Sequence, residues 1–366
     1  MSGRKPSIKE VAALAGVSTA TVSNVFSGRK PVNEDLRKGV QAAAEKLGYQ
    51  IDRAASQLRS GRTRVVAVLV PDLTDNFFAT IVSSLENLAF DEGYDVIVAS
   101  SRNEPSVESS RLNALMSWRP AGLIVVPCSA VIPSELQAIK NSVPMVLVDR
   151  VAVQNAIADT VTIHNRDAGE VAARHLLEMG HTDIVLAPSH LSFPPIAERA
   201  EGAAAIIEGY TSKKPKIIEL GSDVEGGKRI FAGYLERNPI PGAVIAFTNV
   251  ATLSVLSACA EYHLDIPGRT SIVAFDDYAW MAARKTGLTA IRQPVDEMAT
   301  AAWKRLRYRM DSSAPSPVLP TIFNASLVVR DSVRQLPMPK SKAAKAREPA
   351  RPEAEQPKVA EDKKIH

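Results

Sequence analysis

The side chains able to do covalent or metal chemistry are scattered along this chain. His164, His175, His181, His190, His263 and His366 show no metal-ligand spacing, and Cys128 and Cys259 are too few and too far apart for a metal knuckle or a disulfide framework. Neither a nucleophile elbow nor a phosphate-cradling glycine loop occurs. Asp276-Asp277 has the form of a paired-carboxylate site but reads better as a ligand anchor beside a helix cap. No enzyme activity, metal or cofactor is therefore expected, and what remains is recognition chemistry. Near the front, a helix beginning at Thr19 turns Val22 and Val25 inward and leaves Thr19, Ala20, Ser23 and Asn24 on its other side. Thr can hydrogen-bond a base or set its methyl on a thymine methyl, Ala offers apolar contact, and Asn pairs bidentately with adenine. Taken alone, Asn24 is better explained as a solvated helix position.

The elements that must hold these residues follow from local signals. Ser7-Ile8-Lys9-Glu10 is a capping box before Val11, Leu14 and Val17, so a helix starts at about Ile8. Gly16 supplies a tight turn and Ser18 can cap the second helix, giving a helix-turn-helix. Asn33 caps a third helix through Leu47, whose Leu36, Val40, Ala43, Ala44 and Leu47 can close a miniature core. Residues 51–64 are polar and basic, with one short helix-prone stretch, AASQLR, that is marginal in isolation. From Val65 the runs VVAVLV, DVIVAS, GLIVVP, PMVLVD, DIVLAP, AVIAF and SIVAFDD alternate with amphipathic segments. Such runs mark parallel strands covered on both faces, in number suited to two sheets with a cleft between them. The stretch from Pro337 onward, rich in Ala, Pro, Lys and Glu, cannot bury a core and is expected to be disordered. It shows no leucine heptads.

Composition bounds the rest. The chain has 366 residues, 45% apolar and 23% charged, about two to three domains' worth. Its net charge of +4 hides a division, since residues 1–64 carry +7, residues 65–336 carry −6 and residues 337–366 carry +3. A basic module ahead of an acidic body suggests that the front meets a polyanion. No apolar run approaches the roughly 20 residues of a membrane span, and MSGRKPSIKE lacks the apolar core of a secretory signal, so a cytoplasmic protein is expected.

Quoted in order, SIKEVAALAGVSTATVSNVFSG, AAAEKLGY, AASQLRSGRT, VPDLTDNFFA, LVDR, HNRDAG, RAEG, AFDD, LTAIRQPV and LVVRD make the chain resemble the LacI/GalR family of bacterial transcription regulators from about Ser7 to Ser332. The resemblance implies an all-α helix-turn-helix domain at 1–50, a hinge helix at 51–64 and a two-lobed α/β periplasmic-binding-protein-like core at 65–336. The first lobe would comprise about 65–162 and 293–322, the second about 163–291 and 323–336. It places Thr19, Ala20 and Asn24 on base edges and Ser18, Ser23, Asn33, Arg53 and Arg59 on phosphates, although for the two arginines solvation is an ordinary alternative. Leu58, which has no local core to join, becomes a minor-groove wedge offered by each of two subunits.

In the core, the same resemblance nominates Asp75, Phe77, Asp149, Phe193, Arg199, Asn249, Asp276 and Gln293 as effector contacts. Arg199 is the strongest, because a planar fork suits two adjacent hydroxyls or a carboxylate. Phe77 and Phe78 stack on a ligand or simply fill the core, and Gln293 contacts ligand or bridges strands. The sequence departs from the family at Ile51-Asp52, at Asp75-Asn76 and at Val250, where Asp is usual after Asn249; the last makes a neutral hexose less secure and an acidic ligand slightly more plausible. The resulting expectation is a homodimeric repressor of a pseudo-palindromic operator on double-stranded DNA, controlled by a sugar or sugar acid bound between the lobes. The rivals are a constitutive DNA-binding protein with a decayed pocket and a sugar-binding or sugar-modifying α/β protein.

Overall fold

The computed structural model describes residues 6–27, 31–49, 63–151, 156–312 and 317–337. The wedge residue Leu58, the phosphate candidates Arg53 and Arg59, the hinge helix and the tail from 338 onward lie outside the described residues. The chain divides into a small front unit and a large second unit.

The front unit holds α1 (Ile8–Ala15), α2 (Thr19–Ser27) and α3 (Glu34–Leu47). The capping box forms, with the Glu10 carboxylate accepting from the Ser7 amide at 2.6 Å and the Ser7 hydroxyl at 2.7 Å. Gly16 and Gly48 end α1 and α3 at φ 66° and 64°, the left-handed conformation that lacks a Cβ penalty only in glycine. Val11, Ala12, Val22, Val40, Ala43 and Ala44 form the core. Leu36, expected in that core, is instead 44% exposed, and Leu14 on α1 is 46% exposed. An eight-residue α1 spans about 12 Å against about 21 Å for α3, so the first turn of α3, with Leu36, overhangs the packed region.

In the second unit the described strands make two six-stranded sheets. The first orders β2 (Asp95–Ser100), β1 (Val65–Val70), β3 (Gly122–Val125), β4 (Met145–Val148), β5 (Asp159–Ile163) and β11 (Pro320–Phe323). The second orders β7 (Lys216–Ile217), β6 (Ile184–Ala187), β8 (Ala243–Ala246), β9 (Ser271–Phe275), β10 (Thr289–Arg292) and β12 (Ser326–Val328), with β12 antiparallel to β10. Central strands are buried along their whole length, which is why they read as continuous β-branched runs. The chain passes between the sheets after Ile163, after Arg292 and after Phe323. The middle crossing leads into α12 (Val295–Asp311), which returns to pack on β3, β4 and β5.

Two helices of the second lobe approach unusually closely. These are α7 (Asn165–Glu178) and α8 (Pro194–Thr211). A Cβ on Gly169 would lie 1.9 Å from the Arg199 carbonyl oxygen, and one on Gly202 would lie 2.2 Å from that of Arg166. The glycines of HNRDAG and RAEG are thus a mutual crossing point.

Near the end of α7, His175 and His181 are buried. His181 Nε2 lies 2.9 Å from the Arg334 carbonyl oxygen, and His175 Nε2 and His181 Nδ1 have no partner among the described residues. Burial holds both imidazoles below their ordinary 6.5. The unfolded chain therefore takes up protons that the folded one declines as pH drops below 6.5, and stability falls with it, by up to about 1.4 kcal/mol per pH unit per histidine. Melting followed from pH 7.5 to 5 is expected to show this acid limb, and His181→Gln, which keeps a donor for Arg334, is expected to flatten it; an unchanged limb would exclude His181 as its source.

Candidate DNA-reading surface and ligand cleft

On the front unit, the helix-turn-helix presents Thr19, Ala20 and Ser23 exposed and Asn24 half-buried, while Val22 is buried behind them. Ser18 caps α2: its hydroxyl accepts the Thr21 amide at 3.1 Å and pairs with the Thr21 hydroxyl at 2.9 Å. Asn33 caps α3 by accepting the Asp35 amide at 2.8 Å. Of the residues expected on phosphates, Ser18 and Asn33 are exposed at helix N-termini, where free amides and the helix dipole favour an anion.

In the second unit, the carboxyl ends of the strands of both sheets converge on a cleft, the position at which open α/β sheets hold ligands. Its lining comes from six separate stretches. Asp75 follows β1 and caps α4 (Asn76–Asp91), accepting the Phe77 amide at 3.0 Å. Asp149 and Arg150 follow β4; Phe193 and Arg199 come from the start of α8; Thr248, Asp276 and Gln293 follow β8, β9 and β10. Phe77 and Phe78, edge to face with centroids 5.2 Å apart, belong to the core and line the cleft as well.

Arg199 is not the free fork that the sequence suggested. It is 4% exposed, and its Nε, Nη1 and Nη2 donate to Asn165 Oδ1 at 2.8 Å, the Phe247 carbonyl at 3.1 Å and Gln293 Oε1 at 3.1 Å. Its guanidinium carbon lies 4.5 Å from the centre of the Phe275 ring. The acceptors belong to three different elements, so the arginine ties the second lobe together beneath the cleft. Gln293 continues the chain of bonds, donating through Nε2 to Asp276 Oδ1 at 2.6 Å. It both lines the cleft and bridges strands.

Asp149 and Asp276 take left-handed backbone, at φ 61° and 80°, a conformation non-glycine residues keep only where surroundings impose it. Burial pushes the Asp276 carboxyl up to about 6, against the pull of Arg199. Burial likewise raises Asp75 and Asp149. Asp277 is not the helix cap expected; it sits at φ 44° and pairs with Arg292 Nη2 and Arg330 Nη1, each at 2.5 Å. An ion-pair hub of this kind is invisible to a reading of neighbours in sequence, since Arg330 lies 53 positions away.

Asn249 also departs from expectation. It is the first residue of α10 (Asn249–Glu261), and the cleft is lined by Thr248, the cap before it, whose hydroxyl accepts the Ala251 amide at 3.2 Å. The residue at the strand end, not the first of the helix, faces the opening; Asn249 Oδ1 is buried without a partner among the described residues. Sequence reasoning missed Arg150, although LVDR contained it beside the chosen Asp149, and missed Tyr278, whose buried phenol is raised by burial and then by the charges of Asp276 and Asp75. Among the described residues no group of three His, Cys, Asp or Glu could hold a metal, and no helix is long and apolar enough to cross a membrane.

Comparison with known proteins agrees with this geometry. Residues 7–52 match the family "Bacterial regulatory proteins, lacI family", and residues 66–300 match the periplasmic binding protein domain. The HTH-type transcriptional regulator PtxS of Pseudomonas putida is 31% identical over 331 residues, 89% of this chain and 96% of that protein. The HTH-type transcriptional repressor PurR of Glaesserella parasuis is 31% identical, covering 90% of this chain and 98% of its own. Among solved structures, the lac repressor dimer bound to operator and the anti-inducer ONPF shares the fold with a TM-score of 0.79 at 23% identity, covering 90% of this chain and all of that one. A helix-turn-helix unit followed by a two-sheet core with a cleft, matched over nearly the full length of characterised regulators, makes this chain a member of the lacI family of DNA-binding bacterial transcriptional regulators.

Proposed function

We propose that the protein is a homodimeric, ligand-controlled repressor. Two copies read a pseudo-palindromic operator through Thr19, Ala20 and Asn24, with Ser18, Ser23, Asn33, Arg53 and Arg59 on phosphates and Leu58 in the minor groove. A sugar or sugar acid binds the cleft of the core and shifts DNA affinity by its differential affinity for two arrangements of the lobes, typically about 1 to 3 kcal/mol. The observation that carries this reading is the cleft itself: Asp75, Asp149, Asp276, Arg150 and Arg199 meet phenyl faces at the carboxyl ends of strands from both lobes. Paired hydrogen bonds from charged groups and an apolar ring face are what a polyhydroxylated ligand needs.

The test selects a preferred duplex from random sequence with the full chain and measures its binding with sugars and sugar acids added. A two-fold related site, and affinity that changes when one of these compounds is present, are expected. Asn24→Ala is expected to cost about 1 to 3 kcal/mol of preference at one base pair in each half-site. No duplex preferred over scrambled competitor would overturn the DNA-reading assignment. A preferred duplex with affinity indifferent to every sugar and acid would favour the constitutive protein with a decayed pocket.

A further inference from the structure

We infer that Arg150 is the specificity residue of the cleft and that the effector is a polyhydroxy acid whose carboxylate it receives. The inference rests on the reading of the cleft as an effector site and narrows it to one class of compound.

The two cleft arginines are in opposite conditions. Arg199 has each of its nitrogens engaged by a neutral protein acceptor. Arg150 has one such bond, from Nη1 to Asn103 Oδ1 at 2.6 Å, and no protein acceptor for Nε or Nη2 among the described residues. Its guanidinium carbon stands 4.0 Å from the centre of the Phe193 ring and 5.3 Å from that of Phe78. Rings engage the flat faces of a guanidinium, whereas hydrogen bonds leave it in plane. Two rings from opposite lobes therefore fix its orientation and leave one edge open, and that edge has the spacing of a carboxylate.

Counter-charge is also missing. None of the described carboxylates comes within 4.0 Å of Arg150. Asp75 is occupied by the Phe77 amide and Asp276 by Gln293. Burial works against the guanidinium's charge, with the more distant Asp149 and Asp75 the largest of the groups supporting it. A ligand carrying hydroxyls for the aspartates and one carboxylate for Arg150 satisfies both sets at once, and because Phe193 and Phe78 belong to different lobes it would anchor them together.

The test titrates the full-length protein calorimetrically with matched pairs that differ only in the acid: D-gluconate and D-glucose, D-galactonate and D-galactose, D-ribonate and D-ribose, with D-glucose 6-phosphate as the alternative anion. At least one acid is expected to bind ten-fold or more tightly than its parent sugar. In Arg150→Met, which keeps a stem between the rings, that ratio is expected to fall towards one, and Arg150→Lys should recover part of it. Should the methionine variant not fold, Arg150→Gln carries the same comparison. Parent sugars binding as well as their acids, or a ratio that survives the loss of Arg150, would overturn the inference while leaving the cleft an effector site. Tighter binding of the sugar phosphate would overturn the carboxylate assignment. Silence from every compound would overturn the effector reading and this inference with it.

Discussion

Replacing Gly169 with alanine is expected to lower the melting temperature by about 6–12 °C and to abolish the response to effector. The new methyl carbon would sit 1.9 Å from the Arg199 carbonyl oxygen and 2.9 Å from its Cα. No rotamer relieves a clash with backbone, so α7 and α8 must separate. Overpacking a tight contact costs about 1–3 kcal/mol, and a backbone-to-backbone collision belongs at the top of that range. For a domain of this size each kcal/mol moves the midpoint by about 2–4 °C. The functional loss has a separate origin. Arg199 bonds simultaneously to Asn165 on α7, to the Phe247 carbonyl and to Gln293. Displacing α8 by even part of an ångström breaks that three-way registry and with it the support of Asp276 through Gln293. Gly209→Ala supplies the control, since it lies on α8 with nothing within 4 Å of its Cβ position. There the gain in helix propensity, about 0.5–1 kcal/mol, should raise the midpoint slightly. Scanning calorimetry on both variants decides the matter, and a Gly169 variant melting like its parent would show that the crossing is not tight.

This pair of glycines marks the boundary of what the residues disclose before they are folded. HNRDAG and RAEG stand out as motifs in the sequence, yet their glycines explain one another only once two helices are seen to cross. Strands such as VVAVLV and GLIV were legible because each is covered on both faces, so that composition and position carry the same message. Helix starts at Ser7 and Asn33 were legible because capping is local, fixed within three residues. Leu36 misled for the converse reason: helical spacing says that a face exists but not how far a neighbouring helix reaches along it. In the cleft, Asp149 and Asp276 could be found as acids just beyond strand ends. What Arg199, Arg150 and Asp277 do depends on partners tens of residues distant, and charge type alone does not say whether an arginine is a strut or an open fork.

Asp276→Asn is expected to make the protein more stable and less able to respond. The Asp276 carboxyl is carried from 3.8 to about 6 because burial penalises its charge more than Arg199 rewards it. Between those two values the folded protein holds a proton that the unfolded chain has released, so stability declines as pH rises through this window and levels off above about 7. Ionising the buried group then costs about 3 kcal/mol. Asparagine removes that cost yet still offers Gln293 Nε2 an oxygen, so the bond of 2.6 Å has a successor. The variant's advantage in melting temperature should thus be near zero at pH 3.5, grow between pH 4 and 6 and stay constant from pH 7 upwards. Response to effector should move the other way, because an ionised carboxylate accepts two ligand hydroxyls whereas an amide accepts through one oxygen only. Such opposition is the mark of a charge retained for binding and not for folding. The measurement is a pair of melting curves across pH together with effector-dependent operator binding; an advantage independent of pH would mean that the Asp276 carboxyl titrates in the native cleft as it does in the unfolded chain, and a retained response would remove it from the ligand's contacts.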